Sequence, residues 1–273
     1  MNGKSRRWQL AAVAGLALAV AVALFVSRSA SSNAEGPVNF QAIQVGHIAM
    51  EADPSGRTAI LRVHTAIKAI CAVAYGRTGA YGHLATDRAM DPSGHQNHAA
   101  FLTGLQPGTA YVYRLQGVGV DGRLYRSPVY SFRTPVAVVS RLQGRDVAMG
   151  ATVLKVSSAF SSDFAGKNAV DGDPGTEWAS QGDGNHAFIT IDLHRVVKAI
   201  GVAFRTRSMS DGTAITRTFS VTVDGKKTYG PFPASPYLKV DKIAFSGRIV
   251  RFSVVTSTGG NTGASEVAVY ASR

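Results

Sequence analysis

The chain has 273 residues, enough for one large domain or two ordinary domains with separate hydrophobic cores. Its formal net charge is +12, but the basic residues are dispersed, with no Lys/Arg run and no basic stripe interleaved with aromatics. This pattern disfavours nucleic-acid binding and predicts a basic surface attracted to anionic partners. The single cysteine, Cys71, excludes an intramolecular disulfide, and its apolar neighbours predict a small buried core residue.

Residues 1–34 have the pattern of a targeting segment. Lys4, Arg6 and Arg7 precede an apolar run from Leu10 to Val26, and a Ser/Ala-rich exit follows it. A basic flank, an apolar core and small residues at the exit are typical of a secretory signal peptide. The run is also close to the about 17–25 residues that span a bilayer, so an uncleaved membrane anchor fits equally. Both interpretations predict export, as a membrane-anchored protein or as a secreted or periplasmic one.

The rest of the chain is predicted to be all-β. From residue 38 to 135, short apolar runs rich in β-branched and aromatic residues alternate with turn signals such as Asp53-Pro54-Ser55-Gly56 and Asp121-Gly122. Repeated short strands at this spacing predict a β-sandwich of about 100 residues. The predicted strands include Thr58–Val63, Ala69–Tyr75, Ala99–Leu102, Tyr111–Gln116 and Tyr125–Phe132.

A local motif makes the prediction for this first sandwich more specific. Tyr111 opens a strand directly after the corner Leu105-Gln106-Pro107-Gly108, so its ring can pack inward while its hydroxyl bonds back to the corner backbone. Together with the closing run Ser131 to Pro135, the motif resembles the fibronectin type III domain, and in particular the domain that precedes purple-acid-phosphatase catalytic domains. The resemblance covers about residues 38–135 and implies a spacer or positioning module.

A second β-rich unit is predicted over residues 146–273, after a short link. Asp224-Gly225 lies between two apolar runs and predicts a tight hairpin, because both residues tolerate the positive φ of a type I′ turn. This unit is again expected to be a sandwich or jelly roll. Its predicted strands include Val153–Val156, Ala187–Leu193, Ala199–Phe204, Phe219–Val223, Ile249–Val255 and Glu266–Tyr270.

The densest polar motif of the chain runs from Asn168 to Trp178, with the sequence NAVDGDPGTEW. Two carboxylates, two glycines and a threonine hydroxyl are suited to a hard cation such as Ca²⁺, which takes six to eight oxygen ligands. The same residues also form good β-turns, and on spacing alone a solvated turn is the favoured interpretation.

A resemblance to a known protein family favours the cation site over the solvated turn. The run NAVDGDPGTEW, the later Ile191-Asp192-Leu193 and the ending Ser265 to Tyr270 resemble the coagulation factor V/VIII C-type family, that is, the discoidin or galactose-binding-like sandwich. This family includes many bacterial carbohydrate-binding modules. The resemblance implies a structural Ca²⁺ held by the side chains of Asp171, Thr176 and Glu266 and by the main chain of Asn168, Asp173 and Ser265. Trp178 is read as a core residue.

Ligand sites in this family lie on variable loops, so the resemblance transfers them poorly. Sugars are generally held by an aromatic face with a few well-placed polar groups. Of the polar and aromatic loop residues, the preferred ligand-binding candidates are Arg205, Arg207, His186, Asn185 and Tyr237.

The sequence favours a protein without catalytic activity. Gly182-Asp183-Gly184-Asn185-His186 superficially resembles metallophosphatase signatures, but those enzymes spread their metal ligands over a much larger α/β domain. His95 and His98 have a spacing that suits a metal, but no third ligand is evident in the sequence. No nucleophile elbow, phosphate loop or HExxH motif is present.

We therefore expect an extracytoplasmic binding protein whose C-terminal domain recognises a glycan or another anionic envelope polymer. Two alternatives stay open from the sequence. One is an adaptor that binds a protein or an anionic lipid, and the other is a structural domain of a membrane assembly.

Overall fold

Alternation of apolar and polar residues produces a structure built mostly of strands, as predicted. The computed structural model describes residues 36–87, 93–136, 144–207, 209 and 211–272. The predicted signal peptide or anchor, residues 1–34, lies outside the described residues. Within them, no helix combines the length and the apolar character needed to cross a bilayer.

The first half of the described chain forms one eight-stranded sheet system. Its strands are β1 (Val38–Asn39), β2 (Gln44–Ala52), β3 (Ala59–Gly76), β4 (His83–Thr86), β5 (His95–Leu102), β6 (Ala110–Gly119), β7 (Leu124–Arg126) and β8 (Tyr130–Arg133), and a 3₁₀ turn covers Phe40–Ala42.

Strand β3 organises this half. Its first part pairs with β2 and β5, and its second part pairs with β4 and β6, all antiparallel. The sequence predicts two separate strands here, Thr58–Val63 and Ala69–Tyr75, whereas the structure has one. The reason is that the join between them, Thr65 to Lys68, contains no glycine, proline or asparagine that would end a strand. Cys71 is buried in this strand, as predicted.

The second half forms another eight-stranded sheet system. Its strands are β9 (Gly144–Asp146), β10 (Thr152–Val156), β11 (Trp178–Ala179), β12 (Phe188–Thr206), β13 (Thr216–Val223), β14 (Lys227–Pro233), β15 (Asp241–Ser257) and β16 (Gly263–Ser272), and 3₁₀ turns cover Ser162–Phe164, Gly166–Ala169 and Gly184–His186.

Strand β12 is central in this sheet, between β15 and β16. It joins the two predicted strands Ala187–Leu193 and Ala199–Phe204 into one, with His194 at a φ of 66° between them. The predicted Asp-Gly turn is confirmed, because Asp224 and Gly225 have φ values of 49° and 64° and link β13 to β14.

Each half has its own hydrophobic core. Phe40, Leu61, Leu102 and Leu115 are fully buried in the first. In the second, Phe219 packs on Phe204 and Phe252 with ring centroids 5.1 and 6.0 Å apart. Residues 38–273 nevertheless make up one compact unit. The proposed domain limits, 38–135 and 146–273, and the fibronectin type III resemblance of the first half stay predictions.

The predicted tyrosine corner is present in the first sandwich. The Tyr111 ring is buried, and the backbone amide of Gln106 donates to its hydroxyl at 2.9 Å. The ring also stacks on Phe132 with a centroid distance of 5.6 Å. The corner therefore ties the start of β6 to the turn before it.

The corner gives a stability prediction. Tyr111→Phe should lower the free energy of unfolding by about 1–2 kcal/mol, because the Gln106 amide loses its acceptor in a partly buried position. Urea denaturation of the full-length protein measures this change. Tyr130→Phe is the matched control, because no described group hydrogen-bonds to its hydroxyl. Equal effects of the two substitutions would show that the corner contributes nothing specific.

Candidate functional site

The loop from Asn168 to Trp178 is folded tightly by its own side chains. The Asp171 carboxylate accepts from the amide of Asp173 at 2.9 Å, and the Asp173 carboxylate accepts from the amide of Gly175 at 2.7 Å. Gly172 has a φ of +75°, a conformation that side chains rarely adopt. These turns reverse the chain twice within a few residues and draw its oxygen atoms together.

The oxygen atoms of this loop converge on the hydroxyl of Thr176. That hydroxyl lies 2.7 Å from the Asp171 carboxylate, 3.1 Å from the carbonyl oxygen of Asp173 and 3.4 Å from the carbonyl oxygen of Asn168. The Asp173 carbonyl oxygen also accepts from the Thr176 backbone amide at 3.2 Å, so Thr176 holds these oxygens close together. Such a group of oxygens is suited to a hard cation.

The last strand contributes a further carboxylate. Glu266 of β16 is 5% exposed and accepts a hydrogen bond from the amide of Gly172, while its Oε1 is buried without a hydrogen-bond partner among the described residues. Burial, with the nearby charges of Asp146 and Asp171, raises the pKa of Glu266 to about 8. Burial likewise raises the pKa of Asp146. The region thus holds several acidic groups, and the charge of Arg205 offsets their effect on the pKa of Glu266 only in part.

The structure brings the predicted calcium residues together. Asn168, Asp171, Asp173 and Thr176 share one loop, and Glu266 reaches that loop through Gly172. Ser265 adjoins Glu266 in β16 and directs its hydroxyl toward the Thr206 carbonyl at 3.4 Å. Trp178 is fully buried, as predicted, and donates from Nε1 to the Ser158 carbonyl at 2.9 Å. Sequence analysis missed Asp146, because tertiary packing brings its charge close to Glu266.

A second feature of this half is a group of hydrogen-bonded loops, here called the loop face. It comprises residues 157–160, 180–187 and 258–262 together with the described residues of 207–214. The Ser158 hydroxyl donates to the Asp183 carboxylate at 2.5 Å, and the Gly184 amide donates to the Gly260 carbonyl at 3.1 Å. The Ala214 amide donates to the Gly259 carbonyl at 2.9 Å. These bonds hold the loops in one arrangement.

Two of the predicted ligand residues, Asn185 and His186, are exposed on the loop face. Asn185 accepts through Oδ1 from the Ser257 hydroxyl at 2.7 Å, which fixes its orientation and directs its amide NH₂ elsewhere. No described group accepts from that NH₂. Gln181 and Asp211 are also exposed on these loops.

Arg207 lies beneath the loop face and is 4% exposed. Its guanidinium pairs with the buried Glu177 carboxylate at 2.8 Å and donates to the Asn261 carbonyl. It also lies 5.6 Å from the centre of the Phe164 ring. The predicted ligand contact of Arg207 is untested, and the structure gives this side chain a supporting position under the loops.

Phe160 is the residue of the loop face that sequence analysis missed. It is 53% exposed, and its ring packs edge-on against Phe164 with centroids 5.9 Å apart. Its backbone amide donates to the Ala179 carbonyl at 2.8 Å, which fixes the ring's position on the loop. The signal available in the sequence was one aromatic residue within the Ser-rich run from Ser157 to Ser162.

Arg205 and Tyr237 lie away from the loop face, at the junction between the two sandwiches. Arg205 is 6% exposed, donates to the Thr58 hydroxyl at 3.1 Å and stacks on Phe101 with its guanidinium carbon 4.8 Å from the ring centre. The Asp53 carboxylate is 4.0 Å away. The ligand role predicted for both residues is untested, and the structure instead gives Arg205 partners in the first sandwich.

Arg205 and Tyr237 also line a cavity of about 60 Å³ together with Asp53, Thr58 and Pro236. Small-molecule pockets in proteins usually measure about 300–1,000 Å³, so this cavity is too small for a monosaccharide. The described contacts of Arg205 at this junction are with side chains of the first sandwich.

The structure corrects one conclusion about metal ligands. Sequence analysis found no third ligand beside His95 and His98, yet Asp87 joins them, with one ligand atom of each residue within 4.8 Å of the others. His98 is buried within β5. Asp87 was missed because it meets this strand through the bridge between its backbone and Ala100, which the sequence does not show.

Comparison with known proteins identifies the second half. Residues 153–268 match the model of the F5/8 type C domain. This stretch of the chain is an F5/8 type C domain. It contains both the loop from Asn168 to Trp178 and the loop face, whereas the first sandwich lies outside the match. No curated protein sequence is significantly similar to this chain.

Solved structures resemble about half of the chain. SpGH29 has a TM-score of 0.41 at 23% identity, covering 47% of this chain, and the chain covers 28% of it. The family 32 CBM of C. perfringens NanJ, solved with galactose, has a TM-score of 0.40 at 14% identity, covering 46% of this chain and 98% of that one. A Streptococcus pneumoniae fucose binding module, SpX-3, has a TM-score of 0.38 at 16% identity, covering 47% and 99%.

The contacts of Arg205 generate a prediction about the junction. Arg205→Met should lower the free energy of unfolding by about 1–3 kcal/mol, because a buried charged hydrogen bond to Thr58 is lost. A double-mutant cycle with Thr58→Val should give a coupling energy of about 1 kcal/mol. Arg217→Met, at an exposed arginine of β13, should leave stability unchanged. Additive effects of Arg205→Met and Thr58→Val would contradict the contact.

Proposed function

We propose that the protein is an exported, non-catalytic binding protein whose F5/8 type C domain recognises glycans through the loop face. The observation that carries the proposal is Phe160, an exposed aromatic ring held in place beside polar loops. A sugar ring presents an apolar face and a rim of hydroxyl groups, so it pairs with an aromatic surface flanked by hydrogen-bonding groups.

The polar half of such a site comes from Asn185, His186 and Gln181. All three are exposed on a loop that hydrogen bonds tie to the segment bearing Phe160. The backbone amide of Gln181 donates to the Ser158 hydroxyl at 2.8 Å, which adds a second hydrogen bond between the same two loops. Little ordering of the backbone is then required on binding, and this reduces the entropic cost of holding a ligand.

The absence of catalysis is part of the same proposal. Asp183 and Asn185, in the loop that resembles a metallophosphatase signature, are hydrogen-bonded to Ser158 and Ser257. Within the described residues, the cluster of His, Cys, Asp and Glu side chains that is suited to a metal lies elsewhere, in the first sandwich. We assign that sandwich the role of positioning the binding domain, with residues 1–34 directing export.

The glycan proposal is tested with a glycan array and with titration of the sugars it identifies, using the full-length protein in mild detergent. Phe160→Ala should weaken binding by about tenfold, equivalent to about 1.4 kcal/mol, because the sugar loses its apolar platform. Leu154→Ala is the control, because Leu154 is 52% exposed on β10 and lies outside the loop face. Arg205→Met should retain binding. Unchanged affinity of the Phe160 variant would refute the loop face as the site.

Anionic lipid is a second candidate ligand, and the exposed Phe160 on a basic protein is the observation that favours it. Co-sedimentation with vesicles that contain phosphatidylserine separates the two ligands. Binding to these vesicles that requires Phe160, together with a blank glycan array, would replace the glycan proposal by the lipid one. Polyanion binding that decays steeply with salt and ignores sugar identity would favour non-specific attraction.

We also propose that the F5/8 type C domain holds a structural Ca²⁺ in the loop from Asn168 to Thr176. The residues present fit the ion: Glu266 has a buried oxygen without a partner, and the loop oxygens gather around Thr176. The side chains of Asp171, Thr176 and Glu266 and the carbonyls of Asn168, Asp173 and Ser265 would hold it. Burial, followed by repulsion from Asp146 and Asp171, raises the pKa of Glu266, and the ion would offset that repulsion.

Calcium should therefore raise the melting temperature of chelator-treated protein by roughly 5 °C at saturation, because it binds the folded state alone. Asp171→Asn should abolish most of this shift. Asp173→Asn is a sharp control, since the asparagine side chain still accepts from the Gly175 amide and the Asp173 carbonyl is retained. Differential scanning calorimetry reports the shift. An unaltered calcium response in Asp171→Asn would contradict the assignment.

A further inference from the structure

Asp87, His95 and His98 form a cluster in the first sandwich that the proposed function does not use. The segment after β4 brings Asp87 beside β5, where its backbone pairs with Ala100. One ligand atom of each of the three residues lies within 4.8 Å of the others. Asp87 and His98 are 6% and 4% exposed, and the His95 side chain is 20% exposed.

The hydrogen bonds of His98 determine which of its nitrogens is open. Its Nε2 lies 3.0 Å from the Thr65 hydroxyl, and that hydroxyl in turn lies 2.8 Å from the Ile67 carbonyl. The Thr65 hydroxyl has one proton and donates it to the Ile67 carbonyl, which can only accept. Nε2 of His98 is therefore the donor in its hydrogen bond with the Thr65 hydroxyl. Nδ1 then carries a lone pair, and it is buried without a partner among the described residues.

His95 and Asp87 make the second half of the cluster. Nε2 of His95 lies 3.0 Å from the Asp87 carboxylate, and the Ala99 amide donates to the same carboxylate oxygen at 2.6 Å. The hydrogen bond from the Ala99 amide fixes the carboxylate in place. Zinc bonds to nitrogen and oxygen measure about 2.0–2.2 Å, so two ligands of a tetrahedral site lie roughly 3.3 Å apart. The separation of His95 Nε2 and Asp87 is close to that value.

We propose that Asp87, His95 and His98 bind one divalent transition-metal ion of the Zn²⁺ type. The ion replaces the proton shared by His95 and Asp87 and takes the open lone pair of the His98 ring as its third ligand. Two imidazoles and one carboxylate suit Zn²⁺, Co²⁺ or Ni²⁺ and not Ca²⁺, which prefers an all-oxygen shell. The partial exposure of His95 leaves the fourth position to water.

The surroundings of the cluster favour this ion over a solvated histidine pair. His98 is 4% exposed, so its ring is removed from solvent. The Thr65 hydroxyl orients the ring from its other nitrogen, the arrangement commonly found behind metal-bound histidines. The rings of His95 and His98 also pack together, with centroids 4.7 Å apart.

The simpler account is a hydrogen-bonded histidine and aspartate beside a core histidine, with no ion. The two accounts differ in a direct observable, saturable binding of one ion per chain that depends on His95 and Asp87. Isothermal titration calorimetry of Zn²⁺ into untagged, chelator-treated full-length protein in mild detergent measures it. His95→Gln is the preferred variant because His95 is partly exposed, and Asp87→Asn tests the carboxylate. Circular dichroism verifies that each variant is folded.

His64→Gln is the matched control. His64 lies on the neighbouring strand β3, is hydrogen-bonded to Asn97 at 2.7 Å and is not a member of the cluster. We expect one Zn²⁺ per chain in the wild type and in His64→Gln, with affinity reduced at least about tenfold in His95→Gln and Asp87→Asn. Zinc should also raise Tm by roughly 2–4 °C or more in the wild type.

The Asp171→Asn variant distinguishes this site from the loop Asn168–Trp178, and it should bind zinc as the wild type does. Zinc binding lost in Asp171→Asn but kept in His95→Gln would overturn the proposal and place the ion in the loop. Absence of saturable binding by folded wild-type protein would overturn it as well. Neither result bears on glycan recognition by the loop face, which is measured separately.

Discussion

The second sandwich depends on how carboxylates and carbonyl oxygens are packed where the loop Asn168–Trp178 meets the last strand. Folding places Glu266, Asp146 and Asp171 near one another, and burial of Glu266 and Asp146 raises the pKa of both carboxyl groups. Within the described residues the Gly172 amide bonds to the Glu266 carboxylate, yet one oxygen of that carboxylate has no partner. An unpaired buried carboxylate is costly, so this arrangement depends on protonation or on a bound cation.

The same loop connects this group of carboxylates to the loop face. Its last residues are Glu177 and Trp178. Glu177 pairs with Arg207 beneath the loops, and Trp178 bonds to the Ser158 carbonyl near Phe160. The Asn168 side chain adds a bond to the Glu177 carbonyl at 3.1 Å. A short run of sequence thus links the proposed calcium residues, the domain core and the support of the proposed binding surface.

Much of the fold was predictable from the sequence because it depends on local patterns. Alternating apolar residues indicated the strands, Asp224-Gly225 indicated a turn with two positive φ values, and Tyr111 after Pro107-Gly108 indicated a corner bond. The predicted strand limits were wrong at β3 and β12, because each is one strand where two were predicted. In β3 no turn residue interrupts the backbone, and pairing with a different partner strand at each end holds it as one strand.

The functional residues were less predictable because sequence shows residue types and not their surroundings. Arg205 and Arg207 were chosen as polar loop residues, and the structure buries one against Thr58 and the other against Glu177. Phe160 was overlooked, since a lone phenylalanine is usually a core residue and only its 53% exposure distinguishes it. Asp87 joins His95 and His98 only because a strand pairing brings them together.

The two proposed ion sites follow from the same physical rule applied to different donor sets. In the F5/8 type C domain, the backbone turns of the loop present carbonyl and carboxylate oxygens, which select a hard cation by number and charge of ligands. In the first sandwich, β-strand pairing presents two imidazoles and one carboxylate on rigid neighbours, which selects a borderline transition metal by ligand type. Each ion would neutralise a carboxylate that packing has removed from water, Glu266 in one sandwich and Asp87 in the other. Because the chain has one cysteine and therefore no disulfide, two metal ions of distinct chemistry would take the role of covalent links, one in each half.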